Sequence, residues 1–155
     1  MGNIFHDDFR DFIKALNNQQ VEYILVGGYS VILHGYARTT GDMDIWVNPT
    51  IDNYKRLVNA FQEFGMAVFD MIEKNFLQNK SIDVFTFGRP PVCIDIMKEV
   101  KGLDFRSSYH HSVMVETDGL FVRLIDYRDL IKAKKASGRA KDINDIENLG
   151  DKEKE

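Results

Sequence analysis

Acids and apolar residues alternate through Gly41-Asp-Met-Asp-Ile-Trp-Val47, a pattern that suits a short β-strand with one polar and one buried side. In a strand, residues i and i+2 point to the same side. Asp42 and Asp44 therefore project together from its start, and Ile45 and Val47 alternate behind them toward a core. Two ionised carboxylates this close repel unless a cation sits between them. On the pair alone two readings stay open. One is a solvated strand edge; the other is a site for a divalent ion such as Mg2+, which one or two carboxylates plus substrate phosphates typically hold. A calcium loop needs further acids and a glycine in register, and Ile45-Trp46-Val47 supplies neither. A glycosyltransferase holding a nucleotide-sugar metal through Asp-x-Asp also fits the pair, but leaves the residues upstream without a role.

Around this strand the chain reads as one domain of mixed α+β type. Ile4, Phe5, Phe9, Phe12, Ile13 and Leu16 recur at helical spacing, and Asn17-Asn18 closes that helix. Tyr23 to Gly27 is a short apolar run that suits a buried strand. A short helix is expected from Tyr29 to His34, stopped by Gly35. Thr50 is placed to cap a helix over Ile51 to Phe64, and Gly65 to end it. Strands are expected at Ser81–Phe87 and Val92–Met97. A hairpin is expected from Ser112–Glu116 and Leu120–Ile125 around Thr117-Asp-Gly119. Asp126 caps a helix running to about Ala136, and a last helix covers roughly Lys141 to Leu149. The domain is expected to span residues 1–150, with 151–155 as a frayed, charged tail. Mixed strands and helices predict a mixed sheet flanked by helices.

Bulk properties exclude several classes. One cysteine, Cys93, rules out a disulfide framework or a multi-cysteine zinc site, and its strand-like setting reads as a small buried hydrophobe. No stretch approaches the roughly 20 apolar residues that span a bilayer, and Met1 to Arg10 has no apolar run of signal-peptide length. A cytoplasmic protein with no membrane partner is expected. Net charge is −4, so no overall basic field draws the chain onto nucleic acid. Lys132, Lys134, Lys135, Arg139 and Lys141 form one local basic cluster, either a solvated helix face or a phosphate contact. His34 reads as packed or capping, His110-His111 as surface, and Trp46 as core.

Gly27-Gly28 lies where a strand turns into a helix, fourteen residues before Asp42. Glycine lets a phosphate approach the backbone, the following helix start favours anions, and Ser30 is placed to add a hydroxyl. No Gly-Lys-Ser/Thr follows, so this is not a P-loop.

Taken together, Val26-Gly-Gly-Tyr-Ser-Val-Ile-Leu-His-Gly-Tyr-Ala-Arg-Thr-Thr-Gly-Asp-Met-Asp-Ile45 resembles the nucleotidyltransferase superfamily, of DNA polymerase beta-like fold. It is most similar to the small bacterial type related to abortive-infection and toxin–antitoxin nucleotidyltransferases. In that family Gly-Gly or Gly-Ser opens the site and an Arg-x-Thr-x-Asp-x-Asp segment follows, here Arg38 to Asp44 with Thr40 inside it. The resemblance implies a third carboxylate on a later strand. Gly88-Arg-Pro-Pro-Val-Cys-Ile-Asp-Ile-Met97 and Gly102-Leu-Asp-Phe105 place Asp95 in that role, with Asp83 as competitor. It extends through Leu130-Ile-Lys-Ala-Lys-Lys-Ala-Ser-Gly-Arg-Ala-Lys-Asp142 to Asp145, covering roughly Val21 to Leu149.

The resemblance implies that Asp42, Asp44 and Asp95 are catalytic and hold Mg2+ or Mn2+. It implies an NTP substrate contacted by Gly27, Gly28, Ser30, Arg38, Thr40, Lys134 and Arg139. Arg38 either binds phosphate or pairs with Asp42 to order its loop. The acceptor is an RNA end, a protein hydroxyl or a small molecule, with the basic cluster mildly favouring an RNA or phosphate-rich acceptor and the net acidity arguing against broad nucleic-acid affinity. Many relatives carry an added helical domain for which this chain has little room. The acceptor site is then either open or completed by another subunit, with a small antitoxin or a second copy of the chain as the candidate partner. The competing expectation is a nucleotide-binding or interaction module of the same fold without catalysis.

Overall fold

The computed structural model describes residues 5–154, with side chains through residue 150. Ile4, counted into the first helix from its spacing, and the side chains of the charged tail lie outside the described residues. Helix α1 (Asp7–Asn18) buries Phe9, Phe12, Ile13 and Leu16, the expected apolar stripe. Strand β1 (Tyr23–Val26) is buried along its length. It leads into α2 (Gly27–Leu33), β2 (Asp42–Val47) and α3 (Ile51–Phe64). Thr50 caps α3 by accepting from the Asn53 amide, and Gly65 ends it at φ +88°, both as expected. A short α4 (Glu73–Leu77) precedes β3 (Val84–Arg89) and β4 (Val92–Met97). Next come α5 (Phe105–His111), β5 (Val113–Thr117) and β6 (Leu120–Leu124). Asp118 and Gly119 join the last two strands at φ +49° and +78°, the left-handed pair that a tight hairpin turn requires. Helices α6 (Tyr127–Ser137), capped by Asp126, and α7 (Ala140–Lys154) complete the chain.

The sequence pattern missed α4 and α5, which are too short to show a helical period. It also began β3 at Ser81, three residues before its observed start. Helix α7 runs to Lys154 rather than stopping near Leu149.

The six strands form one mixed sheet in the order β3-β4-β2-β1-β6-β5. Strand β2 runs antiparallel to β1 and parallel to β4, and β1 runs parallel to β6. This confirms the α+β class. Pleating gives the sheet two chemically different faces. One carries the row Phe87, Ile94 and Met43 and the row Phe85, Ile96, Ile45 and Leu25, all buried. Helices α1 and α3 cover that face. Phe12 of α1 meets Phe61 and Phe64 edge-on at 5.4 and 5.3 Å, and Phe61 meets Phe87 at 4.8 Å. The opposite face carries the row Thr86, Asp95, Asp44 and Val26. Among the described residues no helix is long and apolar enough to cross a membrane.

Candidate active site

Strand register assembles the acidic centre. Asp44 of β2 pairs with Asp95 of β4 across parallel strands, so the two carboxyls leave the same face as neighbours, and Asp42 lies one pleat back. All three line a cleft of about 530 Å³, together with Gly27, Gly28, Arg38, Thr40, Lys134, Arg139 and Lys141. Asp83 lies outside it, on the rim of a neighbouring cavity. Geometry thus groups Asp95, rather than Asp83, with Asp42 and Asp44.

The three carboxylates are poorly compensated. Burial, the charge of Asp95 and a hydrogen bond to it push the Asp44 carboxyl up to about 7, with Asp42 adding to the rise and Lys141 opposing it. Thr86 Oγ1 donates to Asp95 Oδ1 at 2.8 Å, which orients that group. Among the described residues no group of three His, Cys, Asp or Glu side chains is so placed that it could hold a metal ion by itself. The three acids instead stand open to the cleft. Hard carboxylate oxygens with unrelieved mutual repulsion fit a divalent ion such as Mg2+ or Mn2+, whose remaining positions are filled by water or substrate oxygens.

The glycine pair is demanded by close approach. Gly27 sits at φ +71°, and a Cβ there would run into the Asp44 carboxylate. A Cβ on Gly28 would strike the Thr40 side chain and press on Arg38. The turn thus lies against the acids with no side chain between. Ser30 is not brought to the cleft. It is fully buried, and its hydroxyl donates to the Gly27 carbonyl at 2.6 Å, so its proton is spent inside the turn.

The cations are held by two acids that the family resemblance reaches but for which it implied no role. Asp142 and Asp145 lie on α7 three residues apart and are 0% and 1% exposed. Asp145 accepts from Arg38 Nε at 2.9 Å and Nη2 at 3.1 Å, and Lys134 Nζ lies 3.1 Å from it. Asp142 takes Lys134 Nζ at 3.1 Å and Arg139 Nε at 2.8 Å. Hydrogen bonds and charge from Arg139 and Lys134 outweigh its burial and hold the Asp142 carboxyl below the usual range. Of the alternatives left open for these cations, two are removed. Arg38 pairs with Asp145 rather than Asp42, because α7 packs alongside its loop, and Lys134 is a buried member of a network rather than part of a solvated face. The available signal was Asp142 and Asp145 themselves, at helical spacing after a basic stretch.

Residues 8–150 match the family described as nucleotidyltransferase of unknown function (DUF6036). The chain belongs to this nucleotidyltransferase family. No curated protein matches it in sequence. Among solved structures it resembles a protein of Thermotoga maritima whose own assignment as a nucleotidyltransferase is provisional. The two share 16% identity over 93% of this chain and 91% of that one, with a TM-score of 0.58. At that identity the likeness speaks for the fold. Family and fold together support a general role in nucleotidyl transfer.

The other residues singled out in sequence, His34, Trp46, Cys93, His110 and His111, do not line the cleft. His34 ends α2, with Nε2 2.7 Å from the Ile125 carbonyl and its ring against Tyr127. His110 and His111 are exposed, and His111 Nδ1 lies 3.1 Å from Asp129. Cys93 is buried; desolvation and the nearby Asp42 and Asp95 raise its thiol pKa, which disfavours a nucleophilic thiolate. Trp46, on the same side of β2 as the acids, is buried against Phe105 and donates Nε1–H to the Lys98 carbonyl.

Proposed function

We propose that this protein moves a nucleoside monophosphate from an NTP to a hydroxyl-bearing acceptor with release of pyrophosphate, using Mg2+ or Mn2+ held by Asp42, Asp44 and Asp95. The observation that carries the reading is the convergence of these three carboxylates beside a side-chain-free glycine turn and a set of cations in one cleft. When bound, the metal supplies charge stabilisation at the attacking and leaving oxygens of an in-line displacement. The residues of the chain do the rest. The Gly27-Gly28 turn lets the triphosphate reach the backbone, with Thr40 beside it. Arg38, Lys134 and Arg139 turn their remaining N–H groups to phosphate oxygens, while Asp142 and Asp145 fix their positions. Asp95, oriented by Thr86, accepts the proton of the acceptor hydroxyl as its oxygen attacks the α-phosphorus and the bond to the departing pyrophosphate breaks.

A second cavity of about 880 Å³ shares Met97 and Arg139 with the cleft and is the place for the acceptor. Its rim mixes the exposed acids Asp83, Glu99 and Asp104 with the exposed cations Lys101 and Arg139. Lys98 adds little there, because its Nζ donates to the carbonyls of Asn75 and Asn79. Three acids against two cations leave this lining without a basic excess, so it adds nothing to the preference for RNA suggested by the basic cluster. An RNA end, a protein hydroxyl and a small molecule all remain acceptors to test. A toxin–antitoxin role, with a small antitoxin or a second copy as partner, rests on the sequence resemblance alone. A partner gene beside this one and a sizing measurement test it.

The decisive experiment incubates the protein with each labelled NTP, Mg2+ and cell extract. Label transfer that disappears in Asp42→Ala and Asp44→Ala supports the enzyme. Nucleotide binding without transfer to any acceptor makes the chain a binding module instead.

A further inference from the structure

Four cations line the cleft, and they are not equivalent. Arg38, Lys134 and Arg139 each have a carboxylate partner at 3.1 Å or less. Lys141 has none among the described residues, although it is exposed on the cleft wall and its charge reaches Asp44. Its position is electrostatically awkward. It stands in the first turn of α7, where the helix dipole favours acids and disfavours a cation. Neither packing nor pairing holds it there. What faces it is an excess of negative charge: Asp42, Asp44 and Asp95, beside a network in which Asp142 and Asp145 already offset most of the other cations.

We propose that Lys141 is a further substrate-contacting residue of this site, a free cation that binds the triphosphate and follows the charge that builds on the departing pyrophosphate. The inference rests on the nucleotidyl-transfer reading and deepens it by dividing the four cations of the cleft. Three cations are set in place by buried acids and define the shape of the cleft. The fourth keeps its charge and its four-carbon stem free to move, as a compact ammonium on a flexible chain allows.

The test uses inorganic tripolyphosphate with Mg2+, a probe that needs neither the correct base nor the acceptor, titrated by calorimetry into the wild-type protein, Lys141→Gln and Lys141→Arg. Because Lys141 is exposed, all three should melt alike. The expected result is a loss of about tenfold or more in tripolyphosphate affinity for Lys141→Gln, the worth of one charge-assisted hydrogen bond, and substantial recovery in Lys141→Arg. Equal affinity in wild type and Lys141→Gln overturns the inference and leaves the proposed function standing. A loss that Lys141→Arg fails to recover overturns the role of the charge. A wild-type protein that binds no tripolyphosphate at all overturns the triphosphate cleft itself, and with it the reading on which this inference rests.

Discussion

The acidic face of the central sheet and the charged seam where α7 meets α6 and the Arg38 loop are made of the same kinds of residues, arranged in opposite ways. On the sheet, Asp42, Asp44 and Asp95 stand as like charges, and burial together with those charges makes the Asp44 carboxyl hold its proton to about 7. In the seam, charges alternate as Arg38, Asp145, Lys134, Asp142 and Arg139, each meeting its opposite at 2.8 to 3.1 Å. The seam is finished by the protein. The sheet face is left for something else to finish. A cluster that satisfies itself is a scaffold, and one that does not is a place for a ligand.

The largest effect should fall on activity. Asp44→Asn or Asp95→Asn should cut nucleotidyl transfer by about a thousandfold. The same changes should leave the metal-free protein as stable as before, or more so, because they remove a buried repulsion. Steady-state kinetics and denaturant melts on one preparation check both halves. A variant that lost stability would break the contrast with the seam. There the opposite pattern is expected. Asp145→Ala strands Arg38 and Lys134 beside an emptied partner and should cost ~3–5 kcal/mol by denaturant unfolding, as for other broken buried pairs.

The effect of pH is smaller and separates the regions again. Asp44 has its carboxyl raised in the fold, from 3.8 to about 7. Its contribution to metal-free stability is therefore full below about pH 4 and is lost as pH rises toward 7. Mg2+ competes with that proton, so the rise in Tm on adding Mg2+ should be larger at pH 8 than at pH 5. Equal shifts would count against a metal at Asp44. The smallest effect is expected for Ser30→Ala, which removes the hydrogen bond to Gly27 and should cost about 1 kcal/mol while leaving the KM for NTP unchanged. A raised KM would return Ser30 to the phosphate site.

Much of the sheet was visible in the one-dimensional pattern, because β1, β2, β4 and the β5–β6 hairpin each carry a strong local signal. Short elements were not. α4 and α5 have five and seven residues, fewer than two full helical turns, so their apolar residues show no period. The same division holds in the site. The glycine turn and the Asp42–Asp44 pair are contiguous signals, set by turn chemistry and a two-residue pleat. The pairing of Asp44 with Asp95 bridges fifty-one residues and depends on strand register, which no local feature specifies.

By itself, the chain's order of residues determined that Asp42 and Asp44 share a face, that Gly27 and Gly28 make a turn ahead of them, and that Cys93 and Trp46 are inside. Each is a consequence of local backbone geometry and of hydrophobic burial. Only the tertiary structure decided which third acid joins the pair, that Ser30 turns away, and that Arg38 answers to Asp145 across 107 residues. Only it showed that, of the four cations lining the cleft, Lys141 has no carboxylate partner among the described residues. Charge pairing depends on distance in space, and distance in space is what folding adds to a sequence.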